Sequence, residues 1–207
     1  MPRRQLHDAY FKRAKEEGYR ARSAYKLKEI DERKRLLRPG ARILDLGCAP
    51  GAWLQVAAEA VGPRGVVVGI DLQPVEGGLP AQVRTILGDI TTTDAATLTG
   101  LAGGLFDVVL SDMAPSTSGH GDHFLSVRLC RRVLELLPGL LRPGGHLAMK
   151  VFEGEEYPAL LRESQALFRE AKGFKPRASR EVSPEMYIVG TGYRPPLPAD
   201  QAVNANR

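Results

Sequence analysis

The stretch "ILDLGCAPGAWLQ" (Ile43 to Gln55) passes from an apolar strand pattern to an apolar helix pattern through Gly47, Pro50 and Gly51. Glycine turns freely through positive φ and lets a ligand lie against the backbone, and a helix start offers N–H groups without partners. A strand, a glycine loop and a helix in that order therefore point to a layered α/β fold with a ligand at the strand's carboxyl end. A dinucleotide-binding loop reads G-x-G-x-x-G, so that pyrophosphate reaches the helix N–H groups. Here Ala49 takes the place of the second glycine and Pro50 stiffens the turn. The loop fits a nucleoside without phosphates better than a pyrophosphate, which argues against a nicotinamide dehydrogenase.

The rest of the chain repeats the alternation. Strand-like runs are expected at 41–47, 65–72, 83–90, 106–113, 146–152 and 186–193, with helical patterns near 51–61, 94–102, 123–141 and 155–172. Their Val/Ile/Leu continuity suits strands covered on both faces. The expected fold is α/β: a Rossmann-like, mostly parallel central sheet with helices on both faces. "RPGG" after Leu141 reads as a helix stop and a turn into the next strand. A chain of 207 residues with 43% hydrophobic content suits one buried domain. We expect a basic helical segment over 1–38, the main domain over 39–193 and a disordered tail over 194–207. No run reaches the roughly 18 apolar residues of a spanning helix, and no apolar leader is seen, so a cytoplasmic protein without membrane contact is expected. Cys48 and Cys130 lack framework or metal spacing, so reduced thiols are expected.

Charge is unevenly placed. Residues 1–38 hold 13 basic and 6 acidic side chains, so the whole positive excess of the +5 chain sits there. Such a cluster is the footprint of a polyanion binder, or else a solvated amphipathic helix.

Two carboxylates follow the glycine loop in register. The second strand ends in "GIDL", with Asp71 about where a ribose-binding acid belongs, and the third in "LGDI", with Asp89 suited to accept from an adenine amino group. Singly, each reads as well as a turn or cap residue. Gly47, Gly51, Asp71 and Asp89 together describe a seat for S-adenosylmethionine (SAM). Trp53 is either core or a wall of that seat.

Four further residues stand out as candidates for chemistry. Asp112 ends the strand "VVLSD", at the sheet edge where α/β folds bind ligands. Lys150, in "AMKVFEG", sits in an apolar strand, where a lysine is costly unless paired, functional or snorkelling. Glu185 precedes the strand "MYIV", and Lys26 lies among basic residues in "RSAYKLKEID". His120, Asp122 and His123 hint at a metal, but Asp122 as a helix cap accounts for them and no metal is expected.

These strings together resemble one family. "RSAYKLKEID", "DLGCAPGAW", "GIDL", "GDI", "SDMAPSTSG", "RPGGHLAMKVFEG" and "SPEMYIVGTG" are similar to the FtsJ/RrmJ family of SAM-dependent RNA ribose 2′-O-methyltransferases, over roughly residues 10–193. The resemblance implies a catalytic Lys-Asp-Lys-Glu set at Lys26, Asp112, Lys150 and Glu185. Glu185 is chosen over Glu181 because it alone precedes the strand at the family's spacing. It implies SAM contacts at Gly51, Trp53, Asp71, Asp89 and Asp112. The implied substrate is a uridine ribose of large-subunit rRNA, in the assembled or assembling ribosomal subunit, with a monomeric enzyme. Action on tRNA or an mRNA cap, and a noncatalytic RNA-binding relative, are the alternatives. Lys150 is expected to accept the 2′-hydroxyl proton in its neutral form, which burial and a second positive charge from Lys26 would favour.

Overall fold

The computed structural model describes residues 3–115, 121–179 and 183–196. Two helices, α1 (Arg3–Glu16) and α2 (Ala24–Lys34), precede the sheet. Then come β1 (Arg42–Leu46), α3 (Ala52–Val61), β2 (Val66–Asp71), β3 (Val83–Leu87), α4 (Ala95–Ala102) and β4 (Phe106–Ser111). The chain continues with α5 (Asp122–Leu140), β5 (Leu141–Phe152), α6 (Tyr157–Leu167), β6 (Phe168–Phe174) and β7 (Glu185–Tyr193). The strand order is β3-β2-β1-β4-β5-β7-β6. Only β7 runs against its neighbours, pairing antiparallel with both β5 and β6. The mostly parallel α/β sheet expected from the sequence is therefore present.

Local chemistry sets the element ends. Asp94 caps α4 by accepting from Thr97 N at 2.6 Å, and Gly103 closes the helix in the left-handed region. In α2 the last turn ends at Arg35, also left-handed, and Asp31 Oδ1 accepts from Leu37 N at 2.8 Å to fix the exit.

Alternation along each strand sends side chains to two cores. Ile43, Val67, Val108, Ala148, Tyr187 and Val189 pack on one face with Leu27, Ile30 and Leu54 from α2 and α3. Leu44, Val68, Val109, Leu147 and Ile188 pack on the other with Leu98, Val133 and Leu160 from α4, α5 and α6. Each fully buried aliphatic side chain contributes about 1.5–3 kcal/mol. Cys48 and Cys130 are buried free thiols. Among the described residues no helix is long and apolar enough to cross a membrane.

Two expectations are corrected. The helical pattern over 155–172 divides: α6 ends at Leu167, and Phe168–Phe174 is strand β6. "FREAKGF" holds good helix formers, but pairing with β7 prevails, and Phe168 lies over Gly190, where a Cβ would come within 2.7 Å of its ring. "RPGG" is likewise no separate turn. Leu141 pairs with Phe106 as soon as α5 ends, and the register then shifts before His146 meets Val108. The expected disordered tail lies almost wholly outside the described residues.

Candidate active site

β1 pairs with β2 on one side and β4 on the other, so the chain leaves in opposite directions at the carboxyl ends of β1 and β4. That switch point opens the crevice in which open α/β sheets bind ligands. Gly47, at φ +76°, leaves β1 there, and a Cβ on it would meet Met113 Cγ at 2.6 Å, so glycine alone fits. Gly51, at φ +109°, starts α3 with no side chain capping its N–H groups. Asp71 stiffens the loop between them: its Oδ2 accepts from Ala49 N and its Oδ1 from Gln73 N, both at 2.8 Å. Asp89 closes a turn, its Oδ1 accepting from Thr91 N at 2.8 Å. That backbone N–H, with the Thr91 side chain, holds the Asp89 carboxyl below its ordinary value. Trp53 lies in the core. Its Nε1 donates to Ser23 O at 2.8 Å and its ring packs 5.7 Å from that of Tyr187.

Sequence reading missed Asp45. It is the fourth residue of "RILDL", has no exposed surface, and neither carboxylate oxygen has a hydrogen-bond partner among the described residues. Burial first, then the charges of Asp112 and Asp71, push its carboxyl well above the ordinary value. A buried polar group in this condition is costly and marks a place built for a ligand group. With the glycine turns and the open start of α3, it fits the polar end and nucleoside of SAM. The signal was present as a lone acid inside an otherwise apolar strand.

The four residues expected to do chemistry are brought together as two ion pairs. Lys150 pairs with Tyr187 across β5 and β7, and Glu185 lies two residues earlier on β7, so all three project from the face covered by α1–α3. Lys150 Nζ reaches Asp112 Oδ1 at 3.2 Å and donates to Asp112 O at 2.6 Å. Tyr187 Oη donates to the same Oδ1 at 2.7 Å. Lys26, from α2, contacts both Glu185 oxygens, at 2.7 and 2.8 Å. All four side chains are largely buried, Lys26 and Lys150 with 10% exposure each.

Electrostatics hold Glu185 charged. Burial alone would raise the Glu185 carboxyl, yet the charge and hydrogen bond of Lys26, the Ser179 hydroxyl at 2.7 Å and the charge of Lys150 hold it below its ordinary value. Tyr187 is pushed well above the usual phenol value, first by burial and then by Asp112, so it remains a hydrogen-bond donor. Glu185 matches the charge of Lys26. Tyr187 and Ser179, both missed from sequence, are the supporting partners. Among the described residues no His/Cys/Asp/Glu group is arranged to hold a metal. His120 and Glu181 lie outside those residues. Asp122 is not the cap: Gly121 caps α5, and Asp122 stands in the first turn, where a carboxylate favours the helix start.

Asp45 yields a pH-dependent prediction. An unfolded aspartate titrates near about 3.9, and the native one holds its proton to higher pH. Its contribution to stability is present below that value and is lost as pH rises towards the native one. Asp45→Asn escapes this loss, so its stability relative to wild type should rise with pH when urea unfolding is followed at pH 5 and pH 7.5. A difference that stays flat with pH would contradict the assignment.

Comparison with known proteins agrees with this geometry. A family model, that of FtsJ-like methyltransferases, matches residues 19–193. The chain is 48% identical over 191 residues to the ribosomal RNA large subunit methyltransferase E of Syntrophobacter fumaroxidans, covering 91% of this chain and 97% of that protein. It is 41% identical to the protein of the same name from Methanobrevibacter smithii, with 91% of each covered. A solved ribosomal RNA methyltransferase structure from Plasmodium falciparum superposes with a TM-score of 0.73 at 27% identity, over 84% of this chain and 98% of that one. With its strand order, its glycine loop and its two buried ion pairs in place, the chain belongs to the FtsJ-like methyltransferase family.

Proposed function

We propose that this chain transfers the methyl group of SAM to a ribose 2′-hydroxyl of RNA, a uridine of large-subunit rRNA in the assembled or assembling subunit. The observation that carries this reading is the pair of buried ion pairs, Lys150–Asp112 and Lys26–Glu185, on one sheet face beside the glycine loop. The names of the relatives support the RNA substrate.

In this reading the Gly47 and Gly51 turns seat SAM, with Trp53 fixing the helix behind them. Asp71 faces the ribose and Asp89 the adenine amino group, while Asp45 and Asp112 face the amino acid end. Bound SAM supplies a methyl carbon on a sulfonium, open to in-line displacement by an oxygen nucleophile. A ribose hydroxyl becomes a competent nucleophile only as its proton leaves. Lys150 takes that proton at Nζ, a role that requires the amine to have given up its own proton first. The carbonyl and carboxylate of Asp112 aim Nζ, and Tyr187 holds the carboxylate in turn. Lys26 and Glu185 position the acceptor ribose. The basic stretch leading into α2 holds RNA phosphates, which makes binding weaken as salt rises.

The test offers large subunits, naked rRNA and tRNA to the protein with labelled SAM, and maps the methyl by resistance to alkaline cleavage. A 2′-O-methyl removes the hydroxyl that attacks the chain, so a ribose-methylated site survives. Label at a ribose of large-subunit rRNA is expected. Label on a base would overturn the reaction, and label on tRNA alone would overturn the substrate. Lys150→Ala should lower turnover by about 10²- to 10⁴-fold while SAM still binds. Near-normal turnover in that variant would remove Lys150 from the role of base.

A further inference from the structure

Arg20 stands in the basic N-terminal stretch, where charge alone would assign it to RNA phosphates. The structure uses it otherwise. Its Nη1 donates to Pro50 O and to Glu76 O, both at 2.9 Å, and its Nη2 donates to Gly77 O. Pro50 belongs to the glycine loop after β1, and Glu76 and Gly77 to the loop after β2. One guanidinium therefore ties together the two loops between which the nucleoside seat lies. Asp71 reaches the first loop from the end of β2, but Glu76 and Gly77 lie five and six residues further along.

The clamp is itself fixed. Arg20 N donates to Gln55 Oε1 and Gln55 Nε2 donates to Gly18 O, both at 2.9 Å, clipping residues 18–20 onto α3. Gly51 makes room for the side chain: a Cβ there would lie 3.2 Å from Arg20 Cδ and 3.1 Å from Val75 Cγ1. A planar guanidinium spreads fixed donors from two nitrogens over three carbonyls, whereas a lysine ammonium must aim all its donors from one point on a flexible stem.

We propose that Arg20 is a positioning residue of the cofactor seat, closing the β1 and β2 loops around the nucleoside of SAM, and not a phosphate contact. This rests on the SAM reading above. Six residues on, the same stretch of chain delivers Lys26, so the strap also sets the donor and acceptor sides of the site against each other.

The experiment measures SAM affinity by calorimetry without RNA, for wild type, Arg20→Ala, Arg20→Lys and Arg33→Ala, with thermal melting of each apoprotein alongside. Arg33 is an exposed cation at the end of α2 and removes the same charge. Loss of these charge-assisted bonds should raise the dissociation constant about tenfold to a hundredfold in both Arg20 variants. Arg33→Ala should bind as wild type does. Arg20→Lys keeps the charge and the Gln55 clip, so it tests the fork itself even where Arg20→Ala melts early. Wild-type SAM affinity in Arg20→Lys, with only the KM for RNA raised, would overturn the proposal. A wild-type protein that binds no SAM would overturn the SAM reading, and this assignment with it.

Discussion

The ion pair between Lys26 and Glu185 joins residues 159 positions apart and closes the site. One partner comes from the helix before the sheet, the other from the first residue of its last strand. As a source of stability such a pair is weak, because desolvation offsets most of the attraction. Breaking one side is another matter, leaving a buried charge at about 3–5 kcal/mol. The pair therefore fixes a geometry more than it stabilises a fold. Its surroundings agree. Ser179 holds Glu185 from the β6–β7 connection, and Glu29, on the same helix as Lys26, accepts from Arg177 N at 2.7 Å in that connection.

The second constraint is the two-residue period of the strands. Ile43 and Val108 place one sheet face against α1–α3, and the same parity sends Asp45, Lys150, Glu185 and Tyr187 to that face. The polar groups thus collect beneath the N-terminal helices, at the carboxyl ends of β1, β4 and β5 and the amino end of the antiparallel β7. Arg20, Gln55 and Trp53 then stitch the N-terminal chain to α3. In the proposed function, RNA-facing charge, methyl-donor seat and proton acceptor would share this one layer.

Much of this was legible in the sequence, for reasons that differ by element. The β1, β2 and β4 runs announce themselves because strands covered on both faces are continuously apolar. The glycine loop is legible because positive φ and close approach demand glycine. Strand β6 was not, since "FREAKGF" carries helix formers and only its antiparallel pairing with β7 makes it a strand. The residues expected to form the site were picked out mainly through the family's strings. Spacing alone left Asp71 and Asp89 open to a turn reading, and the structure shows both accepting from nearby backbone N–H groups. Tyr187 and Ser179 act through partners distant in sequence, which no local pattern reveals. Asp45 and Arg20 were hidden differently: one looked like part of a strand, the other like one more basic residue in a basic stretch.

The most direct test of the central claim is a double-mutant cycle on kcat across the Lys26–Glu185 pair, with Lys26→Met, Glu185→Gln and the double variant. If the two side chains act as one unit that positions the acceptor ribose, the double variant loses no more than the worse single one, and part of the loss is recovered because no unpaired charge remains. Losses that multiply would contradict the account, since each residue would then act alone.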